Sequence, residues 1–203
     1  MAVKQIYFDV TRCVGCFTCQ VACKQENDLS PNTIDGALAQ TSPVWRRVIE
    51  VESGEYGSES VDYVSLSCMH CTEAPCASVC PTSAISRNDE DGVVEVDGGR
   101  CIGCKLCMQV CPSGIPQFGV DGVMQKCNLC LQRLSEGERP ACVAACPSKA
   151  LVFESPIELS KRVQEKMGKR LVLATGRAYS VGRAREERPR VAREEIVLST
   201  SST

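Results

Sequence analysis

The sequence predicts an α+β, loop-rich fold: two small domains built from paired cysteine motifs, the inner inserted in the outer, with short β-hairpins and an extended C-terminal tail. Three observations predict it. The 16 cysteines of the 203-residue chain fall into four groups of four. The groups alternate between two types, each of which occurs twice, so the chain repeats internally. Short apolar runs bounded by turn residues stand between the groups, where hairpins close. Aromatic residues make up only 4% of the chain, so ring packing supplies little of the core.

Motif I is Cys13, Cys16, Cys19 and Cys23; motif II is Cys68, Cys71, Cys76 and Cys80; motif III is Cys101, Cys104, Cys107 and Cys111; motif IV is Cys127, Cys130, Cys142 and Cys146. Motifs I and III share C-x2-C-x2-C-x3-C, the bacterial ferredoxin run, whose fourth cysteine serves the other cluster of a two-cluster domain. The reason is reach. Three cysteines of one short loop can bind three irons of one cubane, while the fourth, a helical turn further on, points toward a neighbour. Asp9-Val10-Thr11-Arg12-Cys13-Val14-Gly15-Cys16 matches Asp97-Gly98-Gly99-Arg100-Cys101-Ile102-Gly103-Cys104. Motifs II and IV each open C-x2-C, place a proline (Pro75, Pro140) just ahead of the third cysteine, and end C-x3-C-P. Proline follows Cys80, Cys111 and Cys146, where it bends the chain away. Lys24 stands there after Cys23, so motif I departs from the pattern.

A ferredoxin-like domain needs two motifs that exchange fourth cysteines. Motifs II and III are close in sequence and form the inner domain, residues 68–114. Motifs I and IV close around it as the outer domain, residues 1–67 and 115–155. The strand signals agree. Ile6-Tyr7-Phe8 is expected to pair with Leu151-Val152-Phe153. Ala84–Arg87 and Val93–Val96 flank Asp91-Gly92, a strong hairpin signal. A third hairpin is expected from Val44–Val51 and Val61–Leu66, with Gly54 and Gly57 in its loop.

Zinc is the main alternative, since two C-x2-C pairs can bind it tetrahedrally. Zinc does not require a third cysteine at x2 and a fourth at x3 before proline, which favours iron–sulfur most for motifs I and III. Motifs II and IV are looser and gain weight by completing the set. Disulfides fit poorly with paired C-x2-C spacings, and a thioredoxin-like exchange site needs one such pair, not four groups. Gly15 and Gly103, inside the loops, allow close backbone approach to sulfur. Arg12, Arg100 and Lys126 each precede a first cysteine, where a cation raises the potential of an anionic cluster; the alternative is a solvated charge. His70, the only histidine, is read as a residue at the surface or just behind the cluster ligands, and Trp45, the only tryptophan, as core or interface.

Near-balanced charge, −2 overall, gives no reason to expect nucleic-acid binding. No phosphate loop, dinucleotide fingerprint or H-E-x-x-H occurs, so no catalytic residue is assigned and the chain is read as non-catalytic on its own. No run of about 18 apolar residues and no export signal is present, so direct membrane insertion is not expected.

With the four motifs in hand, the chain resembles the iron–sulfur (B-type) subunits of the dimethyl sulfoxide reductase family of molybdenum or tungsten pterin oxidoreductases. The likeness covers about residues 4–155, including Cys19-Gln20-Val21-Ala22-Cys23-Lys24-Gln25-Glu26-Asn27 and Asp121-Gly122-Val123-Met124-Gln125-Lys126-Cys127. It implies an electron-transfer subunit, in anaerobic respiration among other roles, that relays electrons between a pterin-bearing catalytic subunit and a quinone-reactive membrane subunit or a soluble partner. A free-standing polyferredoxin carrier is the alternative. It implies four ligand sets: Cys13, Cys16, Cys19 with Cys146 (a); Cys127, Cys130, Cys142 with Cys23 (b); Cys68, Cys71, Cys76 with Cys111 (c); Cys101, Cys104, Cys107 with Cys80 (d). Some relatives replace the third cysteine of motif III and hold a three-iron cluster. Cys107 is present, so four [4Fe–4S] clusters are expected. Exported members travel with a catalytic subunit that carries the signal; here a cytoplasmic place is preferred to co-export.

Residues 156–203 contain no cysteine and carry eleven basic against six acidic residues, a net of +5, which leaves −7 on residues 1–155. That asymmetry points to a docking tail, with a solvated tail as the alternative. One short helix is expected at Glu158–Met167, and the rest is expected to be extended or partly disordered.

Overall fold

The computed structural model describes residues 4–29 and 42–174. It comprises a unit that ends at Lys161 and a second that begins at Arg162. The described residues of the first unit form four separate two-stranded antiparallel sheets, linked by the cysteine loops and short helices.

Strand β1 (Gln5–Phe8) pairs with β8 (Leu151–Glu154), with Ile6 opposite Phe153 and Phe8 opposite Leu151. The two ends of the cysteine-bearing region therefore meet, as the apolar runs imply. Strands β4 (Ile85–Arg87) and β5 (Val94–Val96) form the expected hairpin. Its loop is set by Asp91, whose carboxylate accepts the Val93 N–H at 2.8 Å.

Strands β2 (Arg46–Ser53) and β3 (Ser60–Ser67) form the third expected hairpin, shifted from the sequence reading. β2 starts at Arg46 rather than Val44 because the Gln117 side chain takes both backbone groups of Val44. Its Oε1 accepts the Val44 N–H at 2.6 Å, and its Nε2 donates to the Val44 carbonyl at 2.7 Å. A fourth hairpin was not anticipated: β6 (Gln117–Phe118) with β7 (Met124–Gln125). Asp121 and Gly122 turn it, the Asp121 carboxylate accepting the Val123 N–H at 3.0 Å, as Asp91 and Gly92 turn the inner hairpin.

The α-helices among the described residues are α1 (Thr18–Glu26), α2 (Pro75–Ser78), α3 (Leu106–Val110), α4 (Leu131–Ser135), α5 (Ala141–Ala144) and α6 (Pro156–Ala174). Four of them carry the third cysteine of a motif at their second position: Cys19, Cys76, Cys107 and Cys142. Pro75 opens α2 and Pro140 precedes α5, fixing φ before the first turn at no hydrogen-bond cost.

Two apolar cores result. Cys19, Val48, Cys142, Val143, Cys146, Ala150 and Leu151 form one, with Ile6, Phe8, Cys13, Phe17, Tyr63 and Phe153 packed against it. Ala74, Ile85, Val94, Cys107 and Met124 form the other, with cysteines of motifs II and III around it. Motifs I and IV thus share one core, and motifs II and III the other.

α6 begins with a capping box. Ser155 Oγ accepts the Glu158 N–H at 3.4 Å, the Glu158 carboxylate accepts the Ser155 N–H at 2.8 Å, and Pro156 takes the first position. The helix is longer than the expected Glu158–Met167, because no breaker follows and Gly168 is absorbed at the modest cost of one helical glycine. The extended chain expected after Met167 is helical to Ala174. The remainder of that expectation, 175–203, lies outside the described residues, as do the first three residues and 30–41.

Candidate metal centre

The four motifs share one backbone device. The residue two after the first cysteine is left-handed in every motif: Gly15 (φ 64), His70 (φ 47), Gly103 (φ 65) and Leu129 (φ 61). Non-glycine residues rarely adopt this region, at a cost of about 1–3 kcal/mol. His70 and Leu129 bear that cost in the looser motifs. The left-handed turn folds the C-x2-C segment over its first sulfur. Accordingly the His70 N–H donates to Cys68 Sγ at 3.5 Å and the Leu129 N–H to Cys127 Sγ at 3.3 Å. The two glycines are also places of tight packing. A Cβ on Gly15 would lie 2.5 Å from the Tyr63 ring, and one on Gly103 would lie 2.7 Å from the Gly122 carbonyl oxygen. Neither of these contacts is with sulfur.

The proline after the fourth cysteine has a visible effect. After Cys80, Cys111 and Cys146 the chain turns, with Ser83, Gly114 and Lys149 left-handed. The N–H four residues on then reaches back to the thiol: Ala84 to Cys80 Sγ at 3.3 Å and Ile115 to Cys111 Sγ at 3.5 Å. Motif I has Lys24 instead of proline, so α1 continues. The Asn27 N–H bonds the Cys23 carbonyl at 3.2 Å, and the Asn27 side chain covers the sulfur at 3.8 Å. Cys101 Sγ accepts the Met124 N–H at 3.4 Å.

Thiols of distant motifs are brought together. Cys23 lies among Cys127, Cys142 and Cys130; burial first, and then these neighbours, raise its pKa. Burial likewise raises Cys19, with Cys142 and Cys146 adding to it. Cys68 feels Cys71 and Cys111, and Cys76 feels Cys68 and Cys111. Cys80, Cys101, Cys104 and Cys107 line one small cavity with Ile85, Phe118 and Met124. Electrostatic influence also runs between these groups, raising Cys19 through Cys142, Cys127 through Cys68 and Cys107 through Cys76. Cys16 and Cys104 are exposed, whereas Cys19, Cys23, Cys107, Cys127, Cys130, Cys142 and Cys146 are buried.

The cations divide by burial. Arg12 and Arg100 are exposed, and Arg100 donates to the Thr82 carbonyl at 2.8 Å. Lys126 is buried, its Nζ donating to the carbonyls of Val94 and, at 3.0 Å, Cys127. It opposes the rise that burial imposes on Cys68 and Cys76. Sequence reading missed Arg46, which is only 2% exposed. Its guanidinium donates to Ser65 Oγ at 3.0 Å and Ser67 Oγ at 2.5 Å. Burial pushes the Cys127 thiol up to about 12 against the opposing pull of Arg46. Burial also tends to lower Arg46 itself, but Cys142, Cys127, Cys19 and Cys23 together hold it above the ordinary guanidinium value. Strand alternation puts Arg46 on the face of Val48 but equally puts Arg47 on the face of Ile49, so the sequence alone does not single it out.

His70 is 2% exposed rather than at the surface. Burial, with Lys126 nearby, lowers its pKa to about 3, so the ring is neutral. Nδ1 accepts the Val94 N–H at 3.0 Å, which places the ring proton on Nε2, buried without a partner among the described residues. Trp45 is half-buried, and its indole N–H is likewise unpaired.

This donor set fits iron–sulfur cubanes. N–H groups aimed at sulfur, an orphaned imidazole N–H and two buried cations suit an anionic, sulfur-rich group.

The comparisons with known proteins agree. Two models described as 4Fe-4S dicluster domains match residues 59–155 and 12–84. The chain is 38% identical over 165 residues to the B component of the anaerobic dimethyl sulfoxide reductase of Escherichia coli (strain K12), covering 77% of this chain and 75% of that one. It is 42% identical over 151 residues to the thiosulfate reductase electron transfer subunit PhsB of Salmonella typhi, covering 71% and 72%. It is 34% identical over 190 residues to the B component of the sulfite dehydrogenase of Allochromatium vinosum, covering 85% and 78%.

Proposed function

The chain belongs to the iron–sulfur B-type subunits of the dimethyl sulfoxide reductase family, the electron-transfer subunits of reductase-type complexes, and we propose that it works through four [4Fe–4S] clusters held by sets a to d. The observation that carries this is Cys23, whose sulfur lies among Cys127, Cys130 and Cys142 from more than 100 residues away. The four-thiol grouping of Cys68, Cys71, Cys76 and Cys111 and the cavity lined by Cys80, Cys101, Cys104 and Cys107 support sets c and d. Set a rests on Cys13, Cys19 and Cys146 in one core.

A bound cubane supplies a one-electron donor and acceptor. The chain's own residues hold it, exclude water from it and aim N–H groups at its sulfurs. The electrostatic influence of Cys142 on Cys19, Cys68 on Cys127 and Cys76 on Cys107 supports the order a, b, c, d. The shared cores support an inner domain, 68–114, inserted in an outer one, 1–67 with 115–155.

The partner is a catalytic subunit, which we take to carry a molybdenum or tungsten pterin, with a quinone-reactive membrane subunit or a soluble protein on the other side. The chain itself is non-catalytic. Among its described residues no helix is long and apolar enough to cross a membrane. We prefer a cytoplasmic place for the complex. Residues 156–203 act as a docking tail; Val163, Met167 and Leu171 are exposed along one stripe of α6. Anaerobic purification tests the reading. Iron and sulfide near sixteen each per chain, with a large pterin-bearing subunit copurifying, are expected. Stoichiometric zinc without iron refutes the cluster assignment, and a chain that purifies alone with full iron favours the free carrier.

A further inference from the structure

We infer that Arg46 is a fixed internal counter-cation that raises the reduction potential of the cluster in set b, and to a lesser degree of the one in set a. The inference rests on the proposed ligand sets.

Arg46 stands at the inward position that begins β2, followed two residues later by Val48, which packs with Cys19, Cys142 and Cys146. Arg47, between them, faces solvent. A guanidinium at an inward position needs compensation, because an uncompensated buried charge costs several kcal/mol. No carboxylate pairs with Arg46 among the described residues. Two serine hydroxyls accept from it, and the thiols of Cys142, Cys127, Cys19 and Cys23 are within its electrostatic reach. Three of those four thiols belong to set b.

The serines fix the charge in place. Ser65 and Ser67 stand on β3, opposite Val48 and Arg46, and both are oriented by accepting from the guanidinium. Ser65 Oγ, having accepted from Arg46, has its own hydrogen free for Cys19 Sγ at 3.6 Å. A four-thiolate cubane is anionic and gains one further negative charge on reduction. A cation held nearby in a dry interior therefore stabilises the reduced form more than the oxidised form. Water cannot replace it, and salt screens it little. Arginine suits this place because it stays protonated when buried and can satisfy two acceptors in fixed directions.

The test is a redox titration of the holoprotein, followed by electron paramagnetic resonance, for wild type, Arg46→Met, Arg46→Lys and Ser67→Ala. Signals are assigned by comparison with Cys130→Ser for set b and Cys16→Ser for set a. Arg46→Met is expected to lower the set b midpoint by at least 59 mV, a tenfold change in the oxidised-to-reduced ratio at fixed ambient potential. The set a midpoint should fall less, and those of sets c and d should not follow. Arg46→Lys, which keeps the charge, should stay closer to wild type than Arg46→Met. Ser67→Ala, which only loosens the guanidinium, should give a smaller fall in the same signal.

The inference is overturned if Arg46→Met keeps sixteen irons and moves no midpoint, or if the Met and Lys variants shift alike, since packing rather than charge is then at work. Should Arg46→Met lose iron, Arg46→Lys and Ser67→Ala decide it: no shift in Ser67→Ala, with a large one in Arg46→Lys, overturns it. Failure of the ligand sets has a different signature. Wild type then lacks sixteen irons, or the shifted signal is not the one that Cys130→Ser abolishes; either result overturns the inference together with its premise.

Discussion

Gly103→Ala tests how tightly the motif III loop is packed, and its cost can be worked from the structure. Gly103 has φ +65, and an added Cβ would lie 2.7 Å from the Gly122 carbonyl oxygen. The left-handed backbone costs an alanine about 1–2 kcal/mol. The clash adds about 1–3 kcal/mol, since the atom met is backbone and cannot rotate away. It belongs to the β6–β7 turn, where the Gly122 N–H already bonds Gly119. Gly114→Ala is the control: its φ is +59, but nothing lies within 4 Å of the new Cβ. The two variants share the backbone cost and differ by the clash alone. Equilibrium unfolding is ill-defined for a protein with bound clusters, so the assay is the rate at which visible cluster absorption is lost from the loaded chain at fixed guanidinium. If the clash is relieved at the transition state, about 1–3 kcal/mol makes Gly103→Ala roughly 5 to 150 times faster than Gly114→Ala. Gly15→Ala should fall between them, because its obstacle, the Tyr63 ring at 2.5 Å, is a side chain that can move. Rates for Gly103→Ala and Gly114→Ala within twofold of each other would refute the packing argument.

Cys146→Ser should disturb the cluster held by Cys13, Cys16 and Cys19 and spare that held by Cys127, Cys130 and Cys142; loss confined to the latter in low-temperature spectra would show that the fourth cysteines are not exchanged. The cluster-free chain should lack a cooperative near-ultraviolet melt, because seven buried cysteines, Arg46 and Lys126 lose their compensating partners together; a native-like apo melt would contradict this. Deleting residues 170–203 should weaken binding to the catalytic subunit, with a shallower salt dependence, while iron stays near sixteen; equal affinity across a range of salt would end the docking role.

Much of the fold was legible because the constraints are local. Asp91-Gly92 sets a hairpin by its own chemistry, and the proline after Cys80, Cys111 or Cys146 dictates a turn that returns an N–H to sulfur. The same rule made Lys24 readable as a departure, and the structure shows its form, an uninterrupted α1. What escaped depends on partners distant in sequence. Val44 reads as strand until Gln117, 73 residues on, occupies its backbone. The β6–β7 hairpin carries the same Asp-Gly turn as β4–β5, but its strands are only two residues long, too short for a periodic pattern. Arg46 was hidden for a different reason. Alternation places Val44, Arg46 and Val48 on one face and Trp45, Arg47 and Ile49 on the other, and each face holds two apolar residues and one arginine. Only the thiols packed on the other side decide which arginine turns inward.

That decision bears on why the two motif types alternate. The exposed cysteines, Cys16 and Cys104, are the second cysteines of motifs I and III, while their counterparts in motifs II and IV, Cys71 and Cys130, are half-buried and buried. On the proposed ligand sets, a and d each present one thiol to water, b is buried throughout, and c, whose four thiols are all half-buried, presents none fully. A solvated anionic site has its charge compensated by water and salt, so cations beside it matter little, and Arg12 and Arg100 are accordingly left at the surface. A shielded one has no such recourse. The two buried cations act mainly on b and c: Arg46 on Cys142, Cys127 and Cys23 of b and on Cys19 of a, and Lys126 on Cys68 and Cys76 of c. With the order a, b, c, d, the wire has two ends whose surroundings reorganise with each electron and a middle whose charge is fixed by protein. Fixed charge in a dry interior reorganises little when an electron passes, so on the proposed order the slower, solvent-coupled steps belong at the ends.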